Sequence, residues 1–379
     1  MLGAALASSL NALAQDPVRI GFITTLSTPA GYLGEDARDA FRLAIEQEGG
    51  KLGGVPVELV VEDDGLQPAK GKQIVDRISL DGISLYTGVM FSNVLAAVVN
   101  SATQGDRFYI SANAAPSNLA GAQCKANYFS ASYQNDVPHE MAGLAANELG
   151  YKKMVILAPN YQAGRDALAG FKRTFKGEVT EIYTKLNQLD FSVELARVRS
   201  LNPDAVFQFH PGGAGINFAK QYGSSGLSKS IPMVVPVFSM DERMLAATGD
   251  VAKGMNIVTL WNPGSTNPAN QAFVKAFNDK YKRVPTVYAA QTYDTARLIG
   301  AALKTVDGNL KDPEALRSAL RNVTFDSIRG DFAFGKNQHA VIDWYLLRVE
   351  ADANGKLVQV PVQTIAKAQV DSFAAECAL

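Results

Sequence analysis

The chain has 379 residues, of which 47% are hydrophobic and 19% are charged, and its net charge at pH 7 is −1. This composition is that of an ordinary globular protein, and the length is enough for about two to three domains. It excludes a disordered chain, and the lack of a basic surplus argues against a nucleic-acid partner. No stretch of 18 consecutive apolar residues occurs, so the sequence predicts no membrane span.

The first fourteen residues are small and apolar, and the composition changes sharply at Gln15. Ala12, Leu13 and Ala14 have the small-x-small form of a secretory cleavage site, although the basic residues that usually open a signal peptide are absent. We therefore predict that residues 1–14 are the remnant of a truncated signal peptide and that the protein is exported. The alternative is a solvated N-terminal helix.

Cys124 and Cys377 are the two cysteines of the sequence. In an exported protein an even pair favours a disulfide bond, so we predict that they are joined. Two cysteines do not make a four-ligand zinc site, and neither has a histidine at ligand spacing. The alternative is a pair of unrelated free thiols.

After the leader, apolar runs alternate with amphipathic segments. The first block predicts strands over residues 18–26, 55–65, 84–89 and 108–113 and helices over 35–50, 69–82 and 92–106. The second block predicts strands over 154–159, 179–186, 204–210, 233–239 and 255–261 and helices over 139–150, 164–175, 191–201 and 215–226. Two helices, over 270–283 and 288–306, and a β-hairpin over 343–365 complete the chain.

This strand-helix alternation predicts an α/β protein with two Rossmann-like lobes, each built on a parallel sheet with helices on both faces. Ligands bind such sheets beyond the carboxyl ends of the strands, so a site is expected in the cleft between the lobes. The hairpin should turn at Asn354 and Gly355, because an Asn-Gly pair readily adopts the backbone of a two-residue turn.

Motifs of the common enzyme classes are absent. The sequence has no P-loop, no G-x-S-x-G elbow and no H-E-x-x-H, and its three histidines lie far apart. The nearest dinucleotide fingerprint, at Gly213 and Gly215, lacks its third glycine and is better explained by a tight strand-to-helix turn. We therefore predict a protein that is not an enzyme and that uses no cofactor and no metal.

The order of segments along nearly the whole mature chain carries a family resemblance. The segments are VRIGFITTLSTPAGYLGEDARDAFRLAIEQEGGKLGG, VVEDDGLQPAKGKQIVDRI, GVMFSN, ISANAAPSNL, APNYQAGRDALAGFK, NPANQAFVKAF and YDTARLI. In this order they resemble the periplasmic substrate-binding proteins of ATP-driven importers, in the branched-chain amino-acid-binding, or type I, family. The resemblance implies a periplasmic Venus-flytrap receptor, a monomer that delivers its ligand to an inner-membrane ABC permease.

The resemblance also implies how the chain is divided. Three crossovers, near residues 133–136, 261–263 and 334–336, would form a hinge between the lobes. The boundaries that follow are residues 16–134 plus 263–335 for lobe 1 and residues 135–262 plus 336–379 for lobe 2. Such a receptor closes its lobes on the ligand by rotation about the hinge.

Several family site positions have counterparts here. The family holds the ligand's carboxylate with a serine at the start of the helix after the third strand, which is Ser92, with Asn93 beside it. A helix N-terminus suits an anion, although Ser92 could also only cap the helix. The family's Y-x-x-G lid tyrosine matches Tyr161, and the segment FQFHPGG places His210 at an aromatic contact.

The first loop, where the family also reaches its ligand, contains Tyr32 and Leu33. Two further positions depart from the amino-acid receptors of the family. Ala115, next to Ala114, stands where those receptors bind the α-ammonium with a threonine, and Phe238 stands about where they have an acid.

An ammonium buried beside Ala115 and Phe238 would lack partners, which is costly. With Phe91 and Tyr161 nearby, the sequence resembles the branch of the family that binds aromatic acids such as benzoate, hydroxybenzoates and phenylpropenoids. One alternative keeps the receptor and gives it a branched-chain or other aliphatic amino acid or an amide, with Asp241 as the ammonium partner. An exported enzyme on the same scaffold, or a sensor domain of a larger protein, are the remaining alternatives.

Overall fold

The computed structural model describes residues 16–379, so the predicted signal remnant at residues 1–14 lies outside the described residues. Two sheets organise this part of the chain, one of six strands and one of eight. Most neighbouring strands run parallel, which confirms the predicted α/β class with two Rossmann-like lobes. We refer to the six-stranded sheet and its helices as lobe 1, and to the eight-stranded sheet and its helices as lobe 2. None of the helices in this range is long and apolar enough to cross a membrane.

The first part of the chain builds the sheet of lobe 1. Its elements are β1 (Val18–Thr24), α1 (Gly31–Gln47), β2 (Lys51–Leu52), β3 (Val55–Asp63), α2 (Pro68–Leu80), β4 (Leu85–Thr87), α3 (Ser92–Ala102), β5 (Phe108–Ser111) and β6 (Tyr128–Ser130). The strands lie in the order β2-β3-β1-β4-β5-β6, and the pairing of β2 with β3 is antiparallel. Because helices cover the sheet, β1 is buried along nearly its whole length, as its continuous apolar run requires.

The second part of the chain builds most of lobe 2. Its elements are α4 (Val137–Glu148), β7 (Lys153–Pro159), α5 (Gln162–Thr174), β8 (Glu178–Thr184), α6 (Ser192–Leu201), β9 (Ala205–Gln208), α7 (Gly213–Ser224), β10 (Met233–Pro236), α8 (Glu242–Thr248) and β11 (Asn256–Thr259). Here β8, β7, β9, β10 and β11 are neighbours in that order, and all pair in parallel.

The last part of the chain returns to both lobes. Its elements are α9 (Pro268–Tyr281), α10 (Val287–Thr305), α11 (Pro313–Arg321), β12 (Ala333–Phe334), β13 (Ala340–Ala351) and β14 (Leu357–Gln369). Helix α10 packs on α1 of lobe 1, and α11 packs on α10. Strand β13 pairs antiparallel with β11 and with β14 in lobe 2. The chain therefore passes between the sheets after β6, after β11 and between α11 and β13.

The predicted hairpin is confirmed as β13 and β14, and Gly355 in its turn has a positive φ of 79°. The sequence analysis does not predict α8, α11 or the short strands β2, β6 and β12. A local signal for α11 exists, since Asp312 accepts a hydrogen bond from the N–H of Ala315 and Pro313 holds the first helical position. Strands of two or three residues, in contrast, are too short to show a period.

The predicted disulfide bond between Cys124 and Cys377 is present, with their Cα atoms 5.7 Å apart. Cys124 precedes β6 of lobe 1, and Cys377 lies in the tail that follows β14 of lobe 2. In the same tail, Oδ2 of Asp371 accepts a hydrogen bond of 2.7 Å from Asn337, which lies just before β13. The disulfide bond therefore ties the C-terminal tail to lobe 1 near the crossovers.

Candidate functional site

A cavity lies between the lobes, beyond the carboxyl ends of β4, β5 and β6 on one side and of β7, β9 and β10 on the other. The empty space between its walls is about 390 Å³, a figure that includes space open to solvent. The residues that line it are Leu33, Met90, Phe91, Ser92, Asn113, Ala114, Tyr133, Asn135, His139, Tyr161, Ala163, Phe209, Pro211, Phe238 and Tyr288. The cavity thus occupies the cleft where the parallel-sheet topology predicts a ligand.

Six of the ten sequence-predicted site residues line this cavity. They are Leu33, Phe91, Ser92, Ala114, Tyr161 and Phe238. The other four, which the structure places elsewhere, are Tyr32, Asn93, Ala115 and His210. These six residues come from five separate segments of the sequence, so the fold itself assembles the site.

Ser92 opens helix α3 at the cavity, and its side chain is buried. Its Oγ accepts a hydrogen bond of 3.0 Å from Nδ2 of Asn135, which fixes the hydroxyl in the lining. The N–H groups of Val94 and Leu95 both donate to the carbonyl of Phe91, whereas the N–H groups of Ser92 and Asn93 lie before these first helical hydrogen bonds. These free N–H groups and the positive end of the helix dipole can bind an anion such as a carboxylate.

The backbone of Ala115 helps to position Asn135, the side chain that donates to Ser92. Its N–H donates a hydrogen bond of 3.1 Å to Oδ1 of Asn135, the same side chain that donates to Ser92. Ala115 is fully buried and contributes no side chain to the cavity lining, whereas Ala114 does line it. The segment after β5 therefore contributes Asn113 and Ala114 to the lining, and the side chain of Ala115 stays outside it.

Tyr161 reaches the cavity from lobe 2 because of how α5 begins. A Cβ atom on Gly164 would lie 1.7 Å from the carbonyl oxygen of Pro159, so the helix can start directly at the end of β7 only with glycine there. This close approach explains the Y-x-x-G pattern. The ring of Tyr161 lies between those of Phe91 and Phe209, at centroid distances of 6.5 and 6.4 Å.

Aromatic side chains form most of the cavity wall. The ring of Phe238 lies 4.7 Å from that of Tyr133 and 5.8 Å from that of Tyr288. Together with the rings around Tyr161 they give six aromatic lining residues, and none of the described lining residues is acidic. Flat apolar faces with a few hydroxyl groups suit an aromatic ligand.

Tyr32 lies outside the lining and instead joins the two lobes. Its hydroxyl donates a hydrogen bond of 2.6 Å to Oδ2 of Asp241. The other oxygen, Oδ1, accepts hydrogen bonds of 2.8 and 3.0 Å from the N–H groups of Arg243 and Met244 at the start of α8. Burial raises the pKa of Asp241 to about 6. Both carboxyl oxygens of Asp241 are therefore engaged within the protein.

His210 lies inside lobe 2 and does not line the cavity. Because a carboxamide oxygen only accepts, Nδ1 carries the proton and donates to Oε1 of Gln208 at 2.9 Å, and Nε2 accepts from the hydroxyl of Thr184 at 3.0 Å. Burial lowers the pKa of His210 to about 3. The aromatic contact at this strand end is Phe209, one residue earlier, since successive strand residues point to opposite sides.

Nine lining residues were missed by the sequence analysis. They are Met90, Asn113, Tyr133, Asn135, His139, Ala163, Phe209, Pro211 and Tyr288. Tyr133 and Asn135 lie in the predicted crossover near residues 133–136, so that crossover was itself a signal. Tyr288 lies in the first turn of α10, where nothing in the sequence separates it from a core aromatic residue.

A two-lobed α/β chain with an interlobe cavity at the strand ends is the architecture of a solute-binding receptor. The sequence matches the periplasmic binding protein family over residues 17–356, and the chain belongs to this family. The expected family membership is thereby confirmed.

Solved structures and relatives agree with this assignment. The chain is similar to a solute-binding protein of an ABC transporter from R. palustris in complex with benzoate, with 31% identity, a TM-score of 0.90, and coverage of 96% of this chain and 100% of that one. A second, from Rhodopseudomonas palustris BisB5 in complex with 3,4-dihydroxybenzoic acid, has 28% identity, a TM-score of 0.88 and coverages of 94% and 99%. The leucine-, isoleucine-, valine-, threonine- and alanine-binding protein of Pseudomonas aeruginosa is 22% identical over 331 residues, which cover 85% of this chain and 87% of that protein. All three are substrate-binding proteins.

Proposed function

We propose that this protein is the periplasmic solute receptor of an ABC importer and that it binds an aromatic monocarboxylate, of the benzoate, hydroxybenzoate or phenylpropenoid type. The observation that carries the proposal is a cavity with six aromatic lining residues, a helix N-terminus and no acidic side chain among its described lining residues. The neighbours with bound benzoate and 3,4-dihydroxybenzoic acid support the same ligand class. As a receptor, the protein hands its ligand unchanged to an inner-membrane permease.

The ligand's carboxylate meets the N-terminus of α3 at Ser92 in this proposal. A charge-assisted hydrogen bond from the hydroxyl and the free N–H groups fix its orientation. The ring then lies among Phe91, Tyr161 and Phe238, where burial of its apolar faces supplies much of the binding free energy.

The alternative ligand, an aliphatic amino acid, needs a partner for its α-ammonium. Ala115 and Phe238 stand where the family's amino-acid receptors have a threonine and an acid. Asp241, the remaining candidate, uses one oxygen to cap α8 and the other to accept from Tyr32. An ammonium in this cavity would lose part of its hydration without meeting a carboxylate among the described lining residues, which is unfavourable.

Closure of the lobes would then present the loaded receptor to the permease. Two contacts join the lobes beside the cavity. The hydroxyl of Tyr32 donates a hydrogen bond to Asp241. Gly212 packs so closely on Ala30 that a Cβ atom added to the glycine would lie 3.1 Å from the Cβ of the alanine. These contacts support a closed arrangement that traps its ligand.

The test is a binding panel on protein refolded from denaturant, which removes any ligand acquired during expression. A ligand that binds the native state raises the melting temperature by mass action. Benzoate, the hydroxybenzoates and cinnamate-type acids are compared with leucine, valine and phenylalanine. We expect shifts with at least one aromatic acid, and dissociation constants of about 1 μM by calorimetry. A shift with leucine or valine and none with any aromatic acid would overturn the proposal.

A further inference from the structure

His139 is a polar group at the cavity that the proposed function leaves without a role. It lies in the first turn of α4 in lobe 2 and lines the cavity. Its ring packs edge-on against Phe207 and Phe209, at centroid distances of 5.7 and 4.9 Å. Its Nδ1 atom is buried and has no hydrogen-bond partner among the described residues.

The two asparagines of the lining, Asn113 and Asn135, make hydrogen bonds within the protein. Asn113 donates from Nδ2 to the carbonyl of Met90 at 2.6 Å, and its Oδ1 accepts from Tyr133 at 3.3 Å. Asn135 is held by three hydrogen bonds. Among the described residues that line the cavity, Nδ1 of His139 is the one buried side-chain nitrogen or oxygen without a partner. Buried polar atoms are rarely left unpaired, and this atom retains hydrogen-bonding capacity that a ligand in the cavity can use.

The charge state of His139 narrows the chemistry of that partner. Burial lowers the pKa of its imidazole to about 3, so the ring is neutral at physiological pH. A neutral imidazole has one donor nitrogen and one acceptor nitrogen, and it attracts an anion only weakly. Its natural partner is a hydroxyl group, which can donate or accept as the tautomer requires.

Ser92 and His139 approach the cavity from different lobes, through α3 and α4 respectively. An aromatic acid anchored at α3 by its carboxylate therefore presents its ring toward lobe 2. We propose that His139 selects, among aromatic monocarboxylates, those that carry a hydroxyl group on the ring, through a hydrogen bond to its Nδ1. This inference rests on the proposed function and names the ring substituent that the site prefers.

The first experiment is calorimetry of benzoate, 3-hydroxybenzoate and 4-hydroxybenzoate with wild-type protein and with His139→Phe. The variant keeps a ring of similar size against Phe207 and Phe209 but has no nitrogen. We expect wild-type protein to prefer one of the hydroxybenzoates over benzoate by about tenfold, the effect of one hydrogen bond to a buried group. The variant should lose that preference and bind benzoate and the hydroxybenzoates with similar affinities.

His210→Phe is the matched control. It makes the same change at a histidine of lobe 2 that lies outside the lining and has both ring nitrogens engaged. This variant should melt at a lower temperature, because it leaves Thr184 and Gln208 without partners, while the ratio of the hydroxybenzoate and benzoate affinities stays at the wild-type value.

A second measurement on wild-type protein does not depend on a variant that folds. The ¹⁵N resonance of Nδ1 in His139 should shift when the preferred hydroxybenzoate binds and should stay nearly unchanged with benzoate. Equal affinities of wild-type protein for all three acids, or an Nδ1 resonance indifferent to the hydroxyl, would overturn the role of His139 while the receptor for aromatic acids stands. Failure of wild-type protein to bind these three acids and the other aromatic acids of the panel, the cinnamate type included, would instead overturn the proposed function.

Discussion

The ion pairs of Arg243 cross between the lobes, and their loss should weaken the binding of every ligand by a similar factor. Arg243 lies in α8 of lobe 2, and its Nη1 is 2.8 Å from Oε2 of Glu35 and 3.0 Å from Oδ1 of Asp36 in α1 of lobe 1. Its guanidinium also lies over the ring of Tyr32, 4.7 Å from the centroid. Arg243→Gln removes these contacts without touching the cavity lining.

The magnitude follows from the exposure of each partner. The side chain of Glu35 is 42% exposed, and an ion pair with so exposed a partner stabilises the closed form by about 0.5 kcal/mol. Asp36 is fully buried, but Arg283 and Thr286 also bind it, so the loss there is about 1 kcal/mol rather than the cost of an orphaned charge. The contact with Tyr32 adds about 0.5 kcal/mol. The closed form should lose about 2 kcal/mol, which weakens binding by up to about 30-fold.

Arg283→Gln is the matched control. Arg283 lies between α9 and α10 and binds Asp36 and Asp39 at 2.9 and 2.6 Å, both within lobe 1. Its loss should lower the free energy of unfolding and should not weaken binding by the folded protein, because these ion pairs do not break when the lobes open. Calorimetry with two ligands and denaturant unfolding measure the two quantities separately.

A wild-type affinity in Arg243→Gln would refute this reasoning. An equally large loss of affinity in Arg283→Gln would also refute it. In that case it would not matter whether an ion pair joins the two lobes or lies within lobe 1. A variant that weakens one ligand strongly and another not at all would show that Arg243 acts on the ligand itself instead of on closure.

Three further predictions follow from the site and the fold. Ser92→Ala should weaken binding by about 1.5–3 kcal/mol and Tyr161→Ala by a similar amount, with the fold intact, and an unchanged calorimetric affinity in either would remove that residue from the site. Alkylation of unreduced, denatured protein should find no free thiol at Cys124 or Cys377, and replacing both with serine should cost up to about 5 kcal/mol of unfolding free energy by the loop-entropy relation. Since the pKa of His210 falls to about 3 on folding, the stability present above pH 6.5 is lost as the pH falls toward 3. His210→Gln should therefore reduce that loss by about 1.4 kcal/mol per pH unit between pH 6 and 4, and equal slopes of urea unfolding free energy against pH in both proteins would contradict it.

The position of the site could be predicted because it depends on topology alone. Parallel strands end at one edge of each sheet, and residues that directly follow buried strands must lie there. Ser92 and Tyr161 both follow a buried strand and open a helix, so their placement at the cavity needed no knowledge of packing. The glycine at position 164 strengthens the second case, because only a helix that abuts its strand requires it.

Residues contributed by helix faces could not be predicted in the same way. His139 in α4 and Tyr288 in α10 are both buried within elements that pack on a sheet, and a helical period does not tell a core face from a cleft face. Which face meets the cleft depends on how the lobes are oriented. The prediction of His210 in place of Phe209 has a simpler cause. Adjacent residues of a strand point to opposite sides, so an error of one residue in the alignment selects the side chain that points away from the cavity.

Asp241 shows how the fold and the choice of ligand constrain each other. The sequence leaves this residue free either to bind an ammonium group or to cap the helix that starts at Glu242. In the structure its Oδ1 caps α8 and its Oδ2 accepts from Tyr32 of the opposite lobe. Asp241 does not line the cavity, so a ligand ammonium there would not meet this carboxylate directly. The acid that an amino-acid ligand would need is therefore used within the protein, which agrees with the proposed ligand that carries no positive charge.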